Sequence, residues 1–484
     1  MTLKTPEEYL KSILRPIDLY MFGQHITEFW NHPYYKIMEP SINSIKKIYE
    51  LAQKEEYKDI MTASSHLTGN RVNRFTHIHR TKEDLIKKIE AQRLLGQKTA
   101  CCFQRCVGWD AINSLYSVTY EMDQKDGSDY HQRLIKYWTR VQNQDLMVGG
   151  AMTDPKGDRS KRPSQQSDPD AYLHVIEETE RGITVRGAKL HQTGFLNSHC
   201  AIVMPTLALR EGEEAYAVSF GVDTNAKGII MVYGRQTSDT RKMEDGNLDI
   251  GNWKYGGQEV FVIFDDVFIP HENVFMNGEV EYTGELVNRF AGYHRQSYAC
   301  KTGVGDVLIG SAALIAQYNG VENASHVRDK LVEMVHLNET MWCCAVACSV
   351  MGFKRPAGNW EMDMLLANVN KQNVTRFPYM IGRYAEDLAG GIICTLPSEN
   401  DLKSDEVGKL VKKYLQTCDE VSTEDRYKLL RFIESLSMGV ASLNYKTESL
   451  HGAGSPQAQR IMIARQADFQ KKMGLVKDIL DIYE

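Results

Sequence analysis

The stretch EVFVIFDDVFIP, residues 259–270, is a short run of β-branched and aromatic residues in the middle of the chain. Such a run is typical of a β-strand, particularly when turn residues bound it. Four earlier runs share this character: GITVRGAKL at 182–190, HCAIVMPTLAL at 199–209, AYAVSFGV at 215–222 and GIIMVYG at 228–234. The sequence therefore predicts a small antiparallel sheet domain between about Tyr172 and Val274.

The regions on both sides of this sheet have a helical pattern. Apolar residues recur every three or four positions in SINSIKKIYELAQ, residues 41–53, and in VGDVLIGSAALIAQYNG, residues 304–320. A loop rich in Gly, Pro, Asp and Ser begins after Met147. We therefore predict a multidomain α+β protein with an N-terminal helical domain (1–148), a middle antiparallel β domain (149–275) and a C-terminal helical bundle (276–484).

The composition is that of a globular enzyme-sized protein. The 484 residues are 42% hydrophobic and 25% charged, with a net charge of −6 and no long basic block, so nucleic acid is not an expected partner. The first residues lack a signal-peptide pattern, and no segment has the roughly 18 uncharged apolar residues of a membrane span. We expect a cytoplasmic protein whose ten cysteines are free thiols or metal ligands.

Two cysteine pairs share the same spacing of four residues. TACCFQRCVG, residues 99–108, is expected to be helical, and this would place Cys102 and Cys106 on one face, able to reach one metal centre. Burial as small hydrophobic residues explains the pair equally well. Cys344 and Cys348 lie among apolar residues, so core packing is the favoured interpretation for them.

A second segment crowds four reactive side chains together. RFAGYHRQSYACKTGVGD, residues 289–306, holds His294, Tyr298, Cys300 and Lys301. A single helical histidine is more often structural than functional. A histidine with a cysteine, however, can complete a metal site that two other thiolates begin.

Three further segments could hold a cofactor. In AMTDPKGDR, residues 151–159, the side chains of Lys156 and Arg159 could bind phosphates, and in KLHQTG, residues 189–194, Gln192 and Thr193 could bind a planar heterocycle. The Gly-rich TESLHGAGSPQAQR, residues 447–460, could bind a pyrophosphate. All three could equally be ordinary turns or helix junctions, and the chain has no Rossmann fingerprint.

Together these motifs resemble a known family. KTACCFQRCVG, GAMTDPKGDR, AKLHQTGFLNSH, RFAGYHRQSY, CKTGVGDV, TRFPY and TESLHGAGSPQAQRIMIARQ are similar to segments of the 4-hydroxybutyryl-CoA dehydratases. That family lies within a wider flavoprotein group that includes 4-hydroxyphenylacetate 3-monooxygenase. The likeness runs from about Tyr20 to Gln466. One motif departs from the family pattern, because SYACK replaces SYGGCK, so the link between His294 and Cys300 must close differently.

The resemblance implies a homotetramer of acyl-CoA dehydrogenase-like subunits that bind FAD and a [4Fe-4S] cluster. It implies cluster ligation by Cys102, Cys106, His294 and Cys300. It places FAD contacts at Met152, Thr153, Lys156, Asp158, Arg159, His191, Gln192, Thr193 and Gly194. It places active-site groups at Glu259, His294, Tyr298, Lys301 and Glu448. By analogy with the fold, AEDLAGG, residues 385–391, and the HGAGSPQAQR turn are expected near the FAD of a neighbouring subunit.

The activity implied by the resemblance is dehydration of 4-hydroxybutyryl-CoA to crotonyl-CoA, together with isomerisation of vinylacetyl-CoA. The C3 proton of this acyl-CoA thioester is not acidified by the carbonyl group, so a flavin-assisted radical mechanism is expected, with the cluster as a Lewis acid towards the leaving hydroxyl. The alternative is a reduced-flavin aromatic monooxygenase that lacks a cluster. Iron content distinguishes the two.

Overall fold

A computed structural model describes residues 3–244 and 246–482. The helices are α1 Pro6–Ile13, α2 Tyr35–Gln53, α3 Lys58–Met61, α4 Lys82–Thr99, α5 Cys106–Asp126, α6 Tyr130–Asn143, α7 Val280–Ser297, α8 Cys300–Tyr318, α9 Ser325–Val350, α10 Met364–Val374, α11 Phe377–Ala389, α12 Glu399–Lys403, α13 Gly408–Leu415, α14 Thr423–Ser437, α15 Glu448–His451, α16 Pro456–Gln466 and α17 Phe469–Ile479. The strands are β1 Asp18–Met21, β2 Gln24–Ile26, β3 Thr62–Ser64, β4 Arg71–Asn73, β5 Val148–Ala151, β6 His174–Thr179, β7 Gly182–Thr193, β8 Cys200–Val203, β9 Val218–Asp223, β10 Ile229–Tyr233, β11 Glu259–Pro270, β12 Val274–Asn277, β13 Phe353–Lys354 and β14 Trp360–Glu361.

The middle of the chain forms two sheets, and all five strands expected there are confirmed. One sheet has the strand order β2-β1-β10-β11-β7-β6 and the other β12-β9-β8-β5. The long strands β7 and β11 pair antiparallel, which sets Thr193 opposite Glu259. The prediction of a purely antiparallel domain is corrected, because β1 pairs with β10, and β5 with β8, in parallel.

The N-terminal region is helical with four short strands that the helical pattern did not reveal. Strands β1 and β2 extend the middle sheet, where Leu19 and Met21 are buried and the intervening residues are exposed. Four residues are too few for a reliable period, which explains why the sequence pattern missed them. The domain boundaries near residues 148 and 275 stay predictions, since one continuous apolar core joins the N-terminal helices to both sheets.

A second core lies among the C-terminal helices. The run Val280–Tyr318, which contains α7 and α8, is long and apolar enough to cross a membrane by length and composition alone. However, 67% of its most apolar window is buried inside the protein, which is typical of a core helix. Its apolar character is therefore explained by packing within the fold.

Helices α4 and α8 approach each other through two glycines. A Cβ added at Gly96 would lie 2.8 Å from the backbone nitrogen of Val304, and one at Gly303 would overlap the carbonyl oxygen of Arg93. The two backbones are thus in direct contact. This contact matters for function because α4 leads into the segment of Cys102 and α8 begins at Cys300.

We predict that Gly303→Ala lowers the free energy of unfolding by about 1–3 kcal/mol, because the new methyl group forces α4 and α8 apart. Gly310→Ala, on the exposed side of the same helix with no atom within 4 Å of the new Cβ, is the matched control. It should stabilise the protein by about 0.5–1 kcal/mol through helix propensity. Thermal and denaturant unfolding of both variants would test this, and equal effects would contradict a close helix contact.

Candidate active site

The segment between α4 and α5 carries the first two candidate ligands, and it is not helical as the sequence pattern had predicted. Helix α4 ends at Thr99, and Ala100 and Gln104 adopt left-handed φ angles of 52° and 62°. Helix α5 then begins at Cys106. The expectation that Cys102 and Cys106 share one helical face is therefore wrong, because Cys102 lies outside both helices and left-handed Gln104 turns the chain between the two cysteines.

Three thiols nevertheless meet at this point. Cys102, Cys106 and Cys300 are all buried, and each lies close enough to the other two to influence their ionisation. Burial raises the pKa of all three thiols. Cys106 and Cys300 each open a helix, where the positive end of the helix dipole favours a thiolate and offsets part of that effect. Cys101 contacts the Ser44 hydroxyl at 3.1 Å instead.

His294 reaches the same place from the end of α7. Only Tyr298 and Ala299 separate α7 from α8, so the short SYACK segment closes as a direct helix junction. A ring nitrogen of His294, the Cys106 sulfur and an Asp110 oxygen all lie within 4.8 Å of one another. His294 Nδ1 donates to Asp110 Oδ2 at 2.8 Å.

Two carboxyl groups face each other beside the thiols. Burial raises the pKa of Glu259 well above its usual range, and the nearby Glu448 carboxylate raises it further. The Thr193 hydroxyl donates to Glu259 Oε1 at 2.7 Å. Glu448 accepts hydrogen bonds of 2.8 Å from Lys301 Nζ and from Asn444 Nδ2. Glu259 is thus favoured as the acid, while Glu448 is held in place by the Lys301 ammonium group.

Tyr298 lies between this carboxyl pair and the thiols. Its hydroxyl donates to the main-chain oxygen of Glu448 at 2.9 Å, and burial raises its pKa well above the usual value. The Lys371 ammonium lies 4.0 Å from the ring centroid. Any side chain at Gly452 would overlap the Tyr298 hydroxyl, so this glycine is needed to seat the ring.

The predicted FAD segments are connected to Glu259 through Thr193. The loop after β5 is attached to β7, because Leu190 N donates to Thr153 O at 2.8 Å and buried Lys189 pairs with Asp154 at 2.8 Å. Burial and the charge of Lys156 lower the pKa of His191. Asp158 and Arg159 are exposed and the ring of His191 is only partly covered, whereas Met152, Gln192 and Gly194 are buried.

Four residues at the site escaped the sequence analysis: Lys88, Asp110, Lys371 and Asn444. Lys88 donates to Asp110 at 2.6 Å, and both side chains are fully buried. Asp110 follows Cys106 by four residues within α5, a spacing that could have revealed it. Asn444 lies in a π-helical turn, Leu443–Thr447, directly before Glu448, and such turns are frequent at functional sites. No sequence signal distinguished Lys371.

Helices pack around two sheets, and acids, thiols and a histidine share one buried site, as is typical of an enzyme. The structure of a glutaryl-CoA dehydrogenase shares this fold, with a TM-score of 0.51 at 11% identity over 90% of this chain and 93% of that one. The chain belongs to the 4-hydroxyphenylacetate 3-hydroxylase family, whose N-terminal and C-terminal models match residues 5–276 and 283–481, and within it to the 4-hydroxybutyryl-CoA dehydratases.

Individual relatives support the assignment to the 4-hydroxybutyryl-CoA dehydratases. The 4-hydroxybutyryl-CoA dehydratase/vinylacetyl-CoA-Δ-isomerase of Clostridium aminobutyricum is 53% identical, over 99% of this chain and all of the relative. The solved oxygen-tolerant archaeal 4-hydroxybutyryl-CoA dehydratase from N. maritimus has a TM-score of 0.97 at 50% identity, over 100% of this chain and 96% of that one. The FAD complex of the 4-hydroxyphenylacetate 3-monooxygenase oxygenase component has a TM-score of 0.85 at 23% identity, covering 99% and 100%. The family resemblance is confirmed.

We predict that Glu259→Gln becomes more stable relative to the wild type as the pH rises. The raised pKa of Glu259 means that its contribution to stability is fully present below the usual value of 4.5 and is lost as the pH rises towards the raised value. The loss amounts to at most about 1.4 kcal/mol per pH unit, and glutamine does not titrate. Denaturant unfolding of cofactor-free protein at about pH 5 and pH 8 would measure this.

Glu180→Gln, in the exposed turn between β6 and β7, is the control for this experiment. It should show the same small difference from the wild type at both pH values. A Glu259→Gln difference that is also independent of pH would contradict the raised pKa.

Proposed function

We propose that this protein dehydrates 4-hydroxybutyryl-CoA to crotonyl-CoA and isomerises vinylacetyl-CoA, by a flavin-assisted radical mechanism with a [4Fe-4S] cluster as Lewis acid. One observation carries the proposal: the Glu259 and Glu448 carboxyl groups lie between the proposed FAD segments and the three cysteines. Thr193 contacts Glu259, Glu259 faces Glu448, and the charge of Glu448 adds to burial in raising the pKa of the Cys102 thiol. The name of the C. aminobutyricum relative supports the same activity.

The donor set fits the proposed cluster. Cys102, Cys106 and Cys300 supply soft thiolate ligands, and His294 supplies an imidazole whose Nε2 has no hydrogen-bond partner among the described residues. A cluster spreads its ligands over more space than a single ion, which agrees with thiols that come from two distant segments, one with Cys102 and Cys106 and the other with Cys300. The ligand assignment rests on this chemistry and on the resemblance.

The donor set of the FAD segments fits a flavin dinucleotide. Burial and the charge of Arg159 lower the pKa of Lys156, so two cations lie together where an anionic pyrophosphate would relieve their repulsion. Gln258, next to Glu259, is buried with both side-chain atoms lacking partners among the described residues. A flavin ring edge offers matching donors and acceptors. When bound, FAD supplies one-electron redox chemistry and the cluster supplies a Lewis-acidic iron.

The proton balance of the reaction defines what the side chains must do. Converting 4-hydroxybutyryl-CoA to crotonyl-CoA removes one proton from C2 and one from C3; one of these combines with the departing hydroxide and the other goes to C4. At least two proton-carrying groups are therefore needed. We assign Glu448 as a base or orienting carboxylate, Tyr298 as a proton donor and His294 as ligand and possible base.

The environments of these groups suit the assignment. Lys301 donates to both Glu448 and the carbonyl of Asn444, so it fixes the carboxylate beside the substrate space. Glu259 is favoured in its protonated form because of burial and of the Glu448 charge. A carboxyl group with a raised pKa that faces a second carboxyl held by a cation is suited to separate acid and base roles.

We also propose a cytoplasmic homotetramer, with an acyl-CoA as the partner molecule. Helix α17 and the residue that follows it expose one apolar stripe, formed by Phe469, Met473, Val476, Ile479 and Leu480. Exposed apolar patches of this kind are typical of protein interfaces, which supports assembly with further copies. Ten free thiols suit a reducing compartment.

We predict that wild-type protein purified without oxygen, with iron supplied, contains FAD and about four irons per subunit with matching sulfide. Cys102→Ala should lose most of the iron and keep the flavin. The adjacent Cys101→Ala is the matched control and should keep both, because its thiol contacts Ser44. Flavin-containing wild type without iron would overturn the cluster and favour the reduced-flavin monooxygenase.

We predict that His294→Glu lowers the rate of 4-hydroxybutyryl-CoA dehydration by at least about 100-fold while the flavin stays bound, because the neutral imidazole ligand becomes a carboxylate. Crotonyl-CoA formation and flavin absorbance would be measured on the same samples. His25→Gln, at an exposed position of β2, should behave as the wild type. Substantial turnover by His294→Glu would remove His294 from the mechanism.

A further inference from the structure

Asp110 is a fully buried carboxylate, and both of its oxygens accept hydrogen bonds. Oδ1 accepts from Lys88 Nζ at 2.6 Å, and Oδ2 accepts from His294 Nδ1 at 2.8 Å. The Ser297 hydroxyl lies within 3.0 Å of Oδ1 and 2.8 Å of Oδ2. With both oxygens occupied, Asp110 has little capacity left to bind a metal itself, although it lies in the group around Cys106.

Lys88 is committed to this carboxylate. Its fully buried ammonium donates to Asp110, to the Tyr293 carbonyl at 3.1 Å and to Gln296 Oε1 at 2.9 Å, which uses all three of its protons. The cation compensates the buried negative charge. The geometry also fixes which oxygen of Asp110 faces Lys88 and which faces His294.

The tautomer of His294 follows from this arrangement. A carboxylate oxygen that accepts at 2.8 Å requires the proton to be on Nδ1, so Nε2 carries the free lone pair. The ring is also stacked on Phe290, at a centroid distance of 5.4 Å and an interplanar angle of 15°. Both the orientation and the tautomer of the imidazole are therefore set before any metal binds.

We propose that Asp110 is a positioning residue that holds His294 in the Nδ1–H tautomer for iron ligation through Nε2, and that Lys88 orients Asp110 for this purpose. The inference rests on the proposed function. A carboxylate behind a ligating histidine makes the imidazole a stronger donor, so Asp110 also sets how firmly this ligand binds. Asp110 acts only through His294.

Asp110→Asn tests the proposal because asparagine has one oxygen where aspartate has two. Lys88 requires that oxygen, so the asparagine NH₂ group would face Nδ1 of His294 and donate to it. The imidazole would then carry its proton on Nε2 and could not ligate iron. We expect a loss of about 10- to 100-fold in dehydratase kcat with flavin content unchanged.

A spectroscopic measurement distinguishes a positioning role of Asp110 from a purely structural one. Protein containing ¹⁵N-histidine would be reduced without oxygen, and pulsed EPR would measure the nitrogen coupling of the cluster. We expect coupling in the wild type and its loss in Asp110→Asn. Asp249→Asn, a buried aspartate paired with Arg431 among the C-terminal helices, is the matched control and should keep the wild-type coupling.

A double variant tests whether misfolding explains the loss of coupling in Asp110→Asn. In Lys88→Met/Asp110→Asn the asparagine oxygen is released from the cation and can accept from His294 Nδ1, so nitrogen coupling should partly return. Wild-type coupling in Asp110→Asn, or no return in the double variant, overturns the inference alone. A wild type without iron or without histidine nitrogen coupling overturns the proposed function as well, so the two failures are distinguishable.

Discussion

The direct contact between α4 and α8 is the constraint on which the site depends. Because Gly96 and Gly303 have no side chains at the crossing, the chain leaving α4 and the start of α8 are brought together. Cys102 follows the first helix and Cys300 opens the second. The packing of two helices that are far apart in sequence thus fixes the distance between the Cys102 and Cys300 thiols. Larger residues at the two glycine positions would increase this distance.

Buried charges form the second layer of the site. Lys88 pairs with Asp110, and Lys301 pairs with Glu448, all at positions largely removed from water. Such ion pairs add little to the net free energy of unfolding. Removing one partner nevertheless lowers it by about 3–5 kcal/mol, because the charge of the other partner is left buried and unpaired. The fold therefore retains these charges at a place where their chemistry is useful, and stability and reactivity are coupled through the same residues.

The sequence predicted some parts of this structure well and others poorly. The five middle strands and the helical flanks follow from local periodicity, which short-range physics controls. The conformation between Cys102 and Cys106 was predicted wrongly, because helix α4 ends at left-handed Ala100, before Cys102, and the chain turns again at left-handed Gln104. Lys371 was missed because its importance arises from tertiary contacts, for which a single sequence carries no signal. Asn444 was missed because the pattern did not reveal the π-helical turn that brings it to Glu448.

The direct junction between α7 and α8 has a consequence for how the protein is made. His294 and Cys300 are synthesised long after Cys106, and at about 5–20 residues per second the ribosome needs roughly 10–40 s to reach them. During that time the nascent chain can offer only two of the four proposed ligands. Because the junction then delivers the other two almost together, the proposed set of four ligands is complete only after the start of α8 has left the ribosome.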